Sequence, residues 1–246
     1  MSKSSPVLRI SEVYGLVVQG EGPAIGRPTV FVRTGGCDYT CKWCDTLHAV
    51  LPQFRHEWKP MPTGAVFDAV RALSGPCLVT LSGGNPAIQP FADLIEIGQV
   101  QGYTFTCETQ GSVPAPWLGQ LDHLVLSPKP PSSGMDTDWD KLDHCVDIGV
   151  VGNADVALKV VVFDDADYEY AKSVHYRYPE FPFFLQVGNA EPPPAVDGDA
   201  NGPGIDVAAN LGRLRWLMDR VCADRWHAAR VLPQLHLLAF GNERGR

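Results

Sequence analysis

The hydrophobic pattern of this chain switches between short apolar runs with strand character and longer amphipathic stretches with helix character. Several short runs are rich in β-branched residues, which favour strands. The predicted strands are 8–14, 29–34, 78–81, 103–107, 123–126, 156–163, 183–187 and 230–235. Helices are predicted from an N-cap at Thr63 to about Leu73, over 90–100 and 165–176, and after an N-cap at Asp206. The last helix carries an apolar stripe that predicts core packing: Val207, Leu211, Leu214, Met218 and Val221.

Strand and helix alternate about six times without a break the size of a domain boundary. This order predicts an α/β fold, a partial and open βα barrel of about six parallel strands covered by helices. We predict a single domain over 1–246. Its irregular parts are a cysteine-containing loop at 35–48, a surface loop rich in Pro, Gly and Asp at 190–204, and a C-terminal helix, strand and tail at 205–246.

Polar and glycine-containing segments follow consecutive predicted strands. They are 82–86, 108–112, 127–131 and 188–189. Because the carboxyl ends of parallel strands share one rim of such a fold, these segments predict a site at that rim.

Three cysteines within eight residues carry the clearest chemical signal. Cys37, Cys41 and Cys44 have the spacing C-x3-C-x2-C. Thiolates this close repel one another unless a metal or cluster neutralises them. Three ligands on a four-iron cluster leave one iron free for a small molecule, whereas structural sites fill every position with protein. The four scattered cysteines at 77, 107, 145 and 222 are interpreted as small buried hydrophobes.

A zinc site is the alternative for the same loop. His48 follows Cys44 by four residues, so a Cys3His site in a non-enzymatic zinc module stays open at this point. The first cysteine spacing is wider than the usual zinc pair, and no second pair follows.

Composition and charge argue against some classes of binding partner. The formal net charge is −8 and no basic stripe is present, which argues against capture of a nucleic-acid backbone. We see no secretion signal and no apolar stretch of membrane-spanning length. A reducing cytoplasm is therefore the expected compartment for the thiols, with no membrane partner.

The cysteine spacing resembles that of the radical S-adenosylmethionine (SAM) enzymes, and further motifs resemble one family within them, the 7-carboxy-7-deazaguanine synthases. The matching segments are Gln19-Gly20-Glu21-Gly22, Phe31-Val32-Arg33, Cys44-Asp45-Thr46, Ser82-Gly83-Gly84-Asn85-Pro86, Glu108-Thr109-Gln110-Gly111-Ser112, Ser127-Pro128-Lys129, Leu158-Lys159-Val160-Val161 and Leu232-Pro233-Gln234-Leu235-His236. They run through nearly the whole chain in order. The resemblance implies a modified radical SAM core.

The resemblance also implies a reaction. The family converts 6-carboxy-5,6,7,8-tetrahydropterin to 7-carboxy-7-deazaguanine, in the synthesis of 7-deazapurines such as the queuosine precursor. A 5′-deoxyadenosyl radical from SAM abstracts a hydrogen, the ring contracts and ammonia leaves. The implied cofactors are a [4Fe-4S] cluster, SAM and Mg2+. The implied partners are a flavodoxin or ferredoxin as reductant and a second copy in a homodimer. Another radical SAM enzyme, such as a glycyl-radical activase, is the rival that shares the cysteine spacing.

The resemblance assigns residues to roles. The implied substrate-binding residues are Val18, Gln19, Gly20, Glu21, Arg33, Ser82 and His236. The implied SAM-binding residues are Trp43, Cys44, Asp45, Gly84, Asn85, Glu108, Gln110, Ser127, Pro128, Lys129, Gln186, Val187, Gly188 and Asn189. The cluster ligands are Cys37, Cys41 and Cys44, and Thr46 is the implied Mg2+ ligand; no side chain is expected to act as the hydrogen abstractor.

Two departures from the family pattern stand out. Asn85 occupies a position where many radical SAM enzymes have glutamate, so an amide would face the SAM ammonium without a charge. Some members end soon after the position of His236 and use the terminal carboxylate on substrate. This chain continues from Gly241 to Arg246, so that contact is not carried over, although Asn242 or Glu243 could replace it.

Overall fold

The computed structural model describes residues 6–193 and 205–245. The strands of this part are β1 (Val7–Val18), β2 (Pro28–Thr34), β3 (Lys59–Pro62), β4 (Leu78–Gly83), β5 (Thr104–Thr109), β6 (His123–Leu126), β7 (Asp155–Val162), β8 (Phe183–Val187) and β9 (Ala229–Leu232). Within the described residues they form one sheet in the order β3-β1-β2-β4-β5-β6-β7-β8-β9.

Helices cover the outside of this sheet. They are α1 (Leu47–Val50), α2 (Thr63–Leu73), α3 (Ala92–Val100), α4 (Trp139–Val151), α5 (Asp165–Arg177), α6 (Val207–Ala223) and α7 (Leu235–Phe240). Strands β2 and β4 to β9 run parallel, while β1 is antiparallel to β2 and β3 is antiparallel to β1. The edges β3 and β9 do not pair, so the predicted open α/β architecture is confirmed.

The alternation of side chains along each strand separates the core from the interior of the barrel. In β7, Leu158 and Val160 pack into the apolar core, whereas Lys159 and Val161 face a cavity inside the barrel. This follows from the two-residue period of a strand. In β4, Thr80 faces inward, and its hydroxyl lies 2.8 Å from that of Thr29. The barrel interior is therefore polar and the helix-facing layer is apolar.

Two details of the predicted helices were wrong. Thr63 is the first residue of α2 rather than its cap, and its hydroxyl donates to Pro6 O at 3.2 Å. In α6, Val207, Leu211 and Met218 are exposed, so this part of the stripe is not core. The helix packs on β8 and β9 at the end of the sheet, where only one of its sides has neighbours. Val221 is buried and Leu214 packs against the core, as predicted, and the buried face also includes Leu217.

Other predictions of secondary structure met mixed outcomes. Asp206 caps α6 as predicted, accepting from Ala209 N at 2.9 Å. The strand predicted over 230–235 ends at Leu232, and α7 follows where a polar tail was expected. The patterns missed β3, α1 and α4. Of the scattered cysteines, Cys107 and Cys145 are buried, but Cys222 is exposed, contrary to the prediction.

Residues 194–204 of the predicted surface loop lie outside the described residues. Across 6–193 and 205–245, no helix combines the length and apolar character needed to cross a lipid bilayer.

Candidate active site

A cavity of about 270 Å³ opens at the carboxyl ends of the parallel strands. The strand-end segments that the sequence predicted to meet contribute to its wall. The predicted site residues that line it are Val18, Gln19, Gly20, Glu21, Arg33, Cys37, Cys41, Trp43, Cys44, Asp45, Thr46, Ser82, Gly84, Glu108, Gln110, Lys129, Gly188, Asn189 and His236. Topology therefore brings residues from across the chain to one rim.

The three clustered cysteines share this cavity. Cys37, Cys41 and Cys44 are free thiols in the loop after β2, and each is partly exposed. One tetrahedral zinc ion with Zn–S bonds of about 2.3 Å would hold its sulfurs roughly 3.8 Å apart. Among the described residues, the side chains that bring three ligand atoms within 4.8 Å of one another are Glu21, Asp45 and His236, and not the three cysteines. The three sulfurs therefore do not all lie within 4.8 Å of one another, which is wider than one tetrahedral ion would hold them.

His48, the fourth ligand of the alternative zinc site, pairs with Glu12. Its Nε2 lies 3.1 Å from Glu12 Oε1, on the side of the cavity where Arg33 lies. The Cys3His alternative therefore lacks its fourth ligand in this arrangement.

Burial affects the thiols of the metal-free chain. It raises the pKa of Cys44 to about 11, with a further contribution from the neighbouring Asp45 carboxylate. Burial also raises the pKa of Cys37 and Cys41. Since a cluster binds thiolates, loading it must displace these protons, which couples cluster binding to pH.

A segment after β6 holds the cysteine loop from outside. Lys42 N donates to Ser133 O at 2.9 Å, and Trp43 Nε1 donates to Ser132 Oγ at 2.9 Å. Ser132 is itself fixed, because its N–H donates to Oδ1 of the buried Asp167 at 3.0 Å. The loop is thus braced by hydrogen bonds to the protein. No pattern in the sequence predicted these hydrogen bonds, apart from the run of prolines and serines in that segment.

The Gly-Gly-Asn-Pro turn braces the same loop from inside. Asn85 N donates to Gly36 O at 2.8 Å, so the turn lies directly against the start of the cysteine loop. The Asn85 side chain is fully buried: Nδ2 donates to Asp38 Oδ1 at 2.8 Å, and Oδ1 accepts from Thr109 Oγ1 at 2.7 Å. Asn85 does not line the cavity, so its amide supports the loop instead of facing a ligand.

A buried cation lies at the base of the cavity. Lys159 Nζ lies 2.5 Å from Glu21 Oε2 and 2.5 Å from Glu108 Oε1. Burial opposes its charge, but the Glu108 and Glu21 carboxylates outweigh burial and raise the pKa of Lys159 above its ordinary value. Burial likewise opposes ionisation of Glu21, and the Lys159 charge lowers the pKa of Glu21 to about 2. Lys159 therefore keeps Glu21 ionised and holds both carboxylates in place.

A second set of interacting charged residues is centred on Arg33. Its Nε lies 2.9 Å from Glu12 Oε1, and its Nη2 donates to Tyr14 Oη at 2.7 Å. Burial opposes the charge of Arg33, but Tyr14 and Glu12 raise its pKa further above its ordinary value. Arg33 is a permanent cation at the cavity wall, suited to an anionic group.

A divalent cation could be held next to this wall. Thr46 is the N-cap of α1, but its side chain makes no capping hydrogen bond and lines the cavity. Glu21, Asp45 and His236 each offer one ligand atom within 4.8 Å of one another. The Glu21 and Asp45 carboxylate oxygens suit Mg2+, which prefers oxygen ligands and retains several waters, whereas His236 offers a ring nitrogen.

Five predicted residues do not line the cavity: Asn85, Ser127, Pro128, Gln186 and Val187. Ser127 is buried, and its Oγ accepts from Lys129 Nζ at 3.4 Å. Gln186 is buried, and its Nε2 donates to Pro233 O at 3.0 Å. Ser127 thus holds Lys129, and Gln186 holds the chain next to Gln234; Lys129 and Gln234 both line the cavity.

Several lining residues were not predicted as site residues. They include Glu12, Tyr14, His48, Glu57, Lys159, Gln234 and Arg244. Lys159 and Gln234 carried a signal, because each is a polar residue inside a segment that matched the family. Glu12 and Arg244 carried none, since only folding brings the two ends of the chain together.

No protein-family model matches the chain. It is 41% identical over 251 residues to the 7-carboxy-7-deazaguanine synthase of Bacillus subtilis (strain 168), with 100% of each chain covered. It is 41% identical over 244 residues to the protein of that name from Bacillus cereus, with 98% of each chain covered.

Among solved structures, QueE from Escherichia coli superposes with a TM-score of 0.64 at 19% identity, covering 94% of this chain and 95% of that chain. The structure of anSMEcpe with bound AdoMet superposes with a TM-score of 0.51 at 18% identity, covering 85% and 65%. These two structures share the fold.

Proposed function

The chain belongs to the 7-carboxy-7-deazaguanine synthase family of radical SAM enzymes, and we propose that the cavity described above is where it makes its product. The substrate is 6-carboxy-5,6,7,8-tetrahydropterin and the product is 7-carboxy-7-deazaguanine, with loss of ammonia. The observation that carries the assignment is one cavity lined both by the three free thiols and by the partly buried Arg33.

The cysteine side of the cavity is proposed to hold the cluster and SAM. Cys37, Cys41 and Cys44 are the cluster ligands, and Trp43, Asp45, Gly84, Glu108, Gln110, Lys129, Gly188 and Asn189 are the proposed SAM contacts. When bound, the [4Fe-4S] cluster and SAM supply the one-electron chemistry that generates the 5′-deoxyadenosyl radical. Gly84 lines this side of the cavity with its backbone, and its lack of a Cβ lets that backbone lie against Gly36 of the cysteine loop.

The opposite side is proposed to hold the pterin. Arg33 would receive the substrate carboxylate, because its guanidinium fork is charged and fixed by Tyr14 and Glu12. Glu21 and His236 offer an acceptor and a ring nitrogen to the amide and amine edge of the pterin. Val18, Gln19, Gly20 and Ser82 complete the proposed contacts. Lys159 holds Glu21 ionised as an acceptor.

Mg2+ is proposed to lie between these two sides. The Thr46 hydroxyl and the neighbouring Asp45 carboxylate would contribute to its oxygen shell, and substrate carboxylate and waters would supply the rest. A bound cation beside Arg33 would further favour the carboxylate form of the substrate.

Asn85, Ser127, Pro128, Gln186 and Val187 are proposed as supports for this site. We further propose a flavodoxin or ferredoxin as reductant, a homodimer as the assembled state, and the cytoplasm as the compartment, since thiol ligands need a reducing environment. One catalytic domain is also proposed, because a single sheet contains strands from Val7 to Leu232.

The test is an anaerobic product assay. Protein reconstituted with iron and sulfide is incubated with SAM, a chemical reductant and 6-carboxytetrahydropterin, with and without Mg2+, and 7-carboxy-7-deazaguanine is quantified. Substituting alanine for all three clustered cysteines should abolish both iron binding and product. The matched control is Cys222→Ala, which changes an exposed thiol on α6 and should retain both. A wild-type protein that binds iron and SAM but makes no product would overturn the proposal.

A further inference from the structure

The C-terminal segment 241–245 crosses the lateral gap of the open barrel. The sheet ends at β3 on one side and at β9 on the other, and β1 lies next to β3. After β9 and α7 the chain turns back over the cavity, and each residue of 241–245 contributes to the cavity wall. We refer to 241–245 as the C-terminal strap.

The strap is tied on the β8 side of the gap through Asn242. Asn189 Nδ2 donates to Asn242 Oδ1 at 2.8 Å, and Asn242 Nδ2 donates to Glu191 O at 2.9 Å. Asn189 and Glu191 lie directly after β8, so this tie anchors the strap to one end of the sheet.

The strap is tied on the β1 side through Arg244. Its Nε lies 3.3 Å from Glu12 Oε2 on β1, and its Nη1 lies 3.0 Å from Glu57 Oε2 just before β3. The Arg244 side chain is 30% exposed and those of its two partners are less so. Ion pairs this sheltered are screened less by solvent than surface pairs.

Glu12 connects the strap to the proposed carboxylate-binding arginine. Its Oε1 pairs with Arg33 at 2.9 Å and its Oε2 pairs with Arg244 at 3.3 Å. Without Arg244, one oxygen of Glu12 would lose its partner and the strap would lose its attachment at β1. Glu12 would then be free to reorient around Arg33, which changes how that guanidinium is presented to an anion.

We propose that Arg244 is a substrate-positioning residue that closes the C-terminal strap over the acidic pterin and, through Glu12, fixes Arg33 in the orientation that receives the substrate carboxylate. This inference rests on the proposed function, because it assumes that the anion bound by Arg33 is that of the pterin. The strap meets a proposed SAM contact only at Asn189, through Asn242, and this tie does not involve Arg244. Loss of Arg244 is therefore expected to leave SAM binding unchanged.

Steady-state kinetics of the reconstituted holoenzyme test this role. Arg244→Met keeps the length of the side chain and removes its charge. We expect the KM for 6-carboxytetrahydropterin to rise at least tenfold, while kcat, the KM for SAM and the iron content stay within twofold of wild type. Arg244→Lys should recover at least part of the loss, because one ammonium can still pair with one of the two carboxylates. Glu57→Gln should raise the same KM less, because Arg244 keeps Glu12.

The matched control is Arg71→Met on α2, whose guanidinium is half exposed and lies 3.9 Å from Asp68. All its kinetic constants should equal those of wild type. A KM in Arg244→Met within twofold of wild type would overturn the inference. So would an equal loss in kcat, both KM values and iron content, which would indicate general damage to the fold.

Calorimetric titration separates this inference from the proposed function. The Kd of 6-carboxytetrahydropterin is measured on holoenzyme with SAM and without reductant, so that no turnover occurs. A wild-type protein that binds the pterin but forms no product would contradict the function, and the tenfold weaker binding expected for Arg244→Met would still support the strap. Equal Kd values for the two proteins would overturn the strap regardless of turnover, and a wild-type protein that binds no pterin would overturn both proposals.

Discussion

At the scale of single residues, the site depends on charges that folding places out of water. Lys159 is fully buried in the middle of a strand and sits between Glu21 and Glu108. An isolated charge there would be costly, but the two carboxylates compensate it, and Lys159 in turn keeps Glu21 ionised. The lysine therefore has an electrostatic role in arranging the cavity floor.

Removing this cation should strongly destabilise the protein. Lys159→Met leaves two carboxylates close together without a counter-charge, and breaking a buried pair typically costs about 3–5 kcal/mol. Urea unfolding followed by tryptophan fluorescence measures the loss. Lys172→Met is the matched control, because Lys172 also pairs with two acids but is 36% exposed. A loss in Lys159→Met no greater than in the control would contradict the argument.

Ionisation of Glu12 makes the stability of the folded state depend on pH. Burial opposes its ionisation, but hydrogen bonding to His48 and the charges of Arg33, His48 and Arg244 lower its pKa from 4.5 to about 2. The folded state therefore holds this proton less tightly than the unfolded state. The stabilisation is present above about pH 4.5 and is lost as the pH falls towards 2.

Glu12→Gln should accordingly flatten the pH dependence of the unfolding free energy in that window. One such group contributes a slope of up to about 1.4 kcal/mol per pH unit. Urea unfolding at several pH values between 2 and 5 measures the slope. Glu96→Gln on the exposed side of α3 is the control and should retain the slope of wild type. An unchanged slope in Glu12→Gln would show that another group dominates.

At the scale of elements, the cysteine loop is held between two short segments. The Gly83–Asn85 turn supports it from inside, and the segment around Ser132 supports it from outside. The inner contact requires glycine, since a Cβ on Gly84 would lie 2.0 Å from Gly36 O and 2.9 Å from Ala49 O. Close backbone approach of this kind fixes where the three thiols point.

Gly84→Ala should therefore displace the cysteine loop. We expect the iron content after anaerobic reconstitution to fall by at least half, while the far-ultraviolet circular dichroism remains that of wild type. Gly64→Ala near the start of α2 is the matched control, because a Cβ there meets nothing within 4 Å. Normal iron loading in Gly84→Ala would show that the turn yields to the added methyl group without moving the thiols.

At the scale of the whole molecule, the two ends of the chain close one side of the barrel. Leu235 N donates to Gly20 O at 3.0 Å, and Gln234 Nε2 donates to Glu21 Oε1 at 2.9 Å. These bonds join the loop after β1 to the start of α7, across the gap that strand pairing leaves open. The cavity is complete only when residues 20–21 and 234–235 have met.

Gly20→Ala should separate these two segments, because its Cβ would lie 2.4 Å from His236 Nδ1 and 2.8 Å from His236 N. Overpacking of this kind costs about 1–3 kcal/mol. We expect a lower Tm and a several-fold higher KM for the pterin. Thermal unfolding and steady-state kinetics measure both, with Gly212→Ala on α6 as the control, since a Cβ there meets nothing within 4 Å. Wild-type values in both measurements would contradict a tight closure at this point.

Local sequence patterns were sufficient to predict much of the fold and part of the candidate site. The parallel strands and the cysteine spacing were readable because their periods and separations lie within a few residues of sequence. The missed elements are short or depend on distant partners: β3 exists because it pairs with β1, and α7 begins where Leu235 meets Gly20. The prediction for the apolar stripe of α6 was partly wrong, because periodicity identifies the apolar side of a helix but does not show whether another element packs on it.

The sequence by itself determined the strand–helix alternation, the rim on which polar strand ends gather, and the spacing of the three clustered cysteines, because each is encoded by neighbouring residues. Tertiary structure alone decided that Asn85 supports the loop from behind, that Lys159 neutralises Glu21 and Glu108, and that Arg244 reaches Glu12. These are pairings between residues far apart in the chain. Their energies depend on distance and burial in three dimensions, which no local pattern contains.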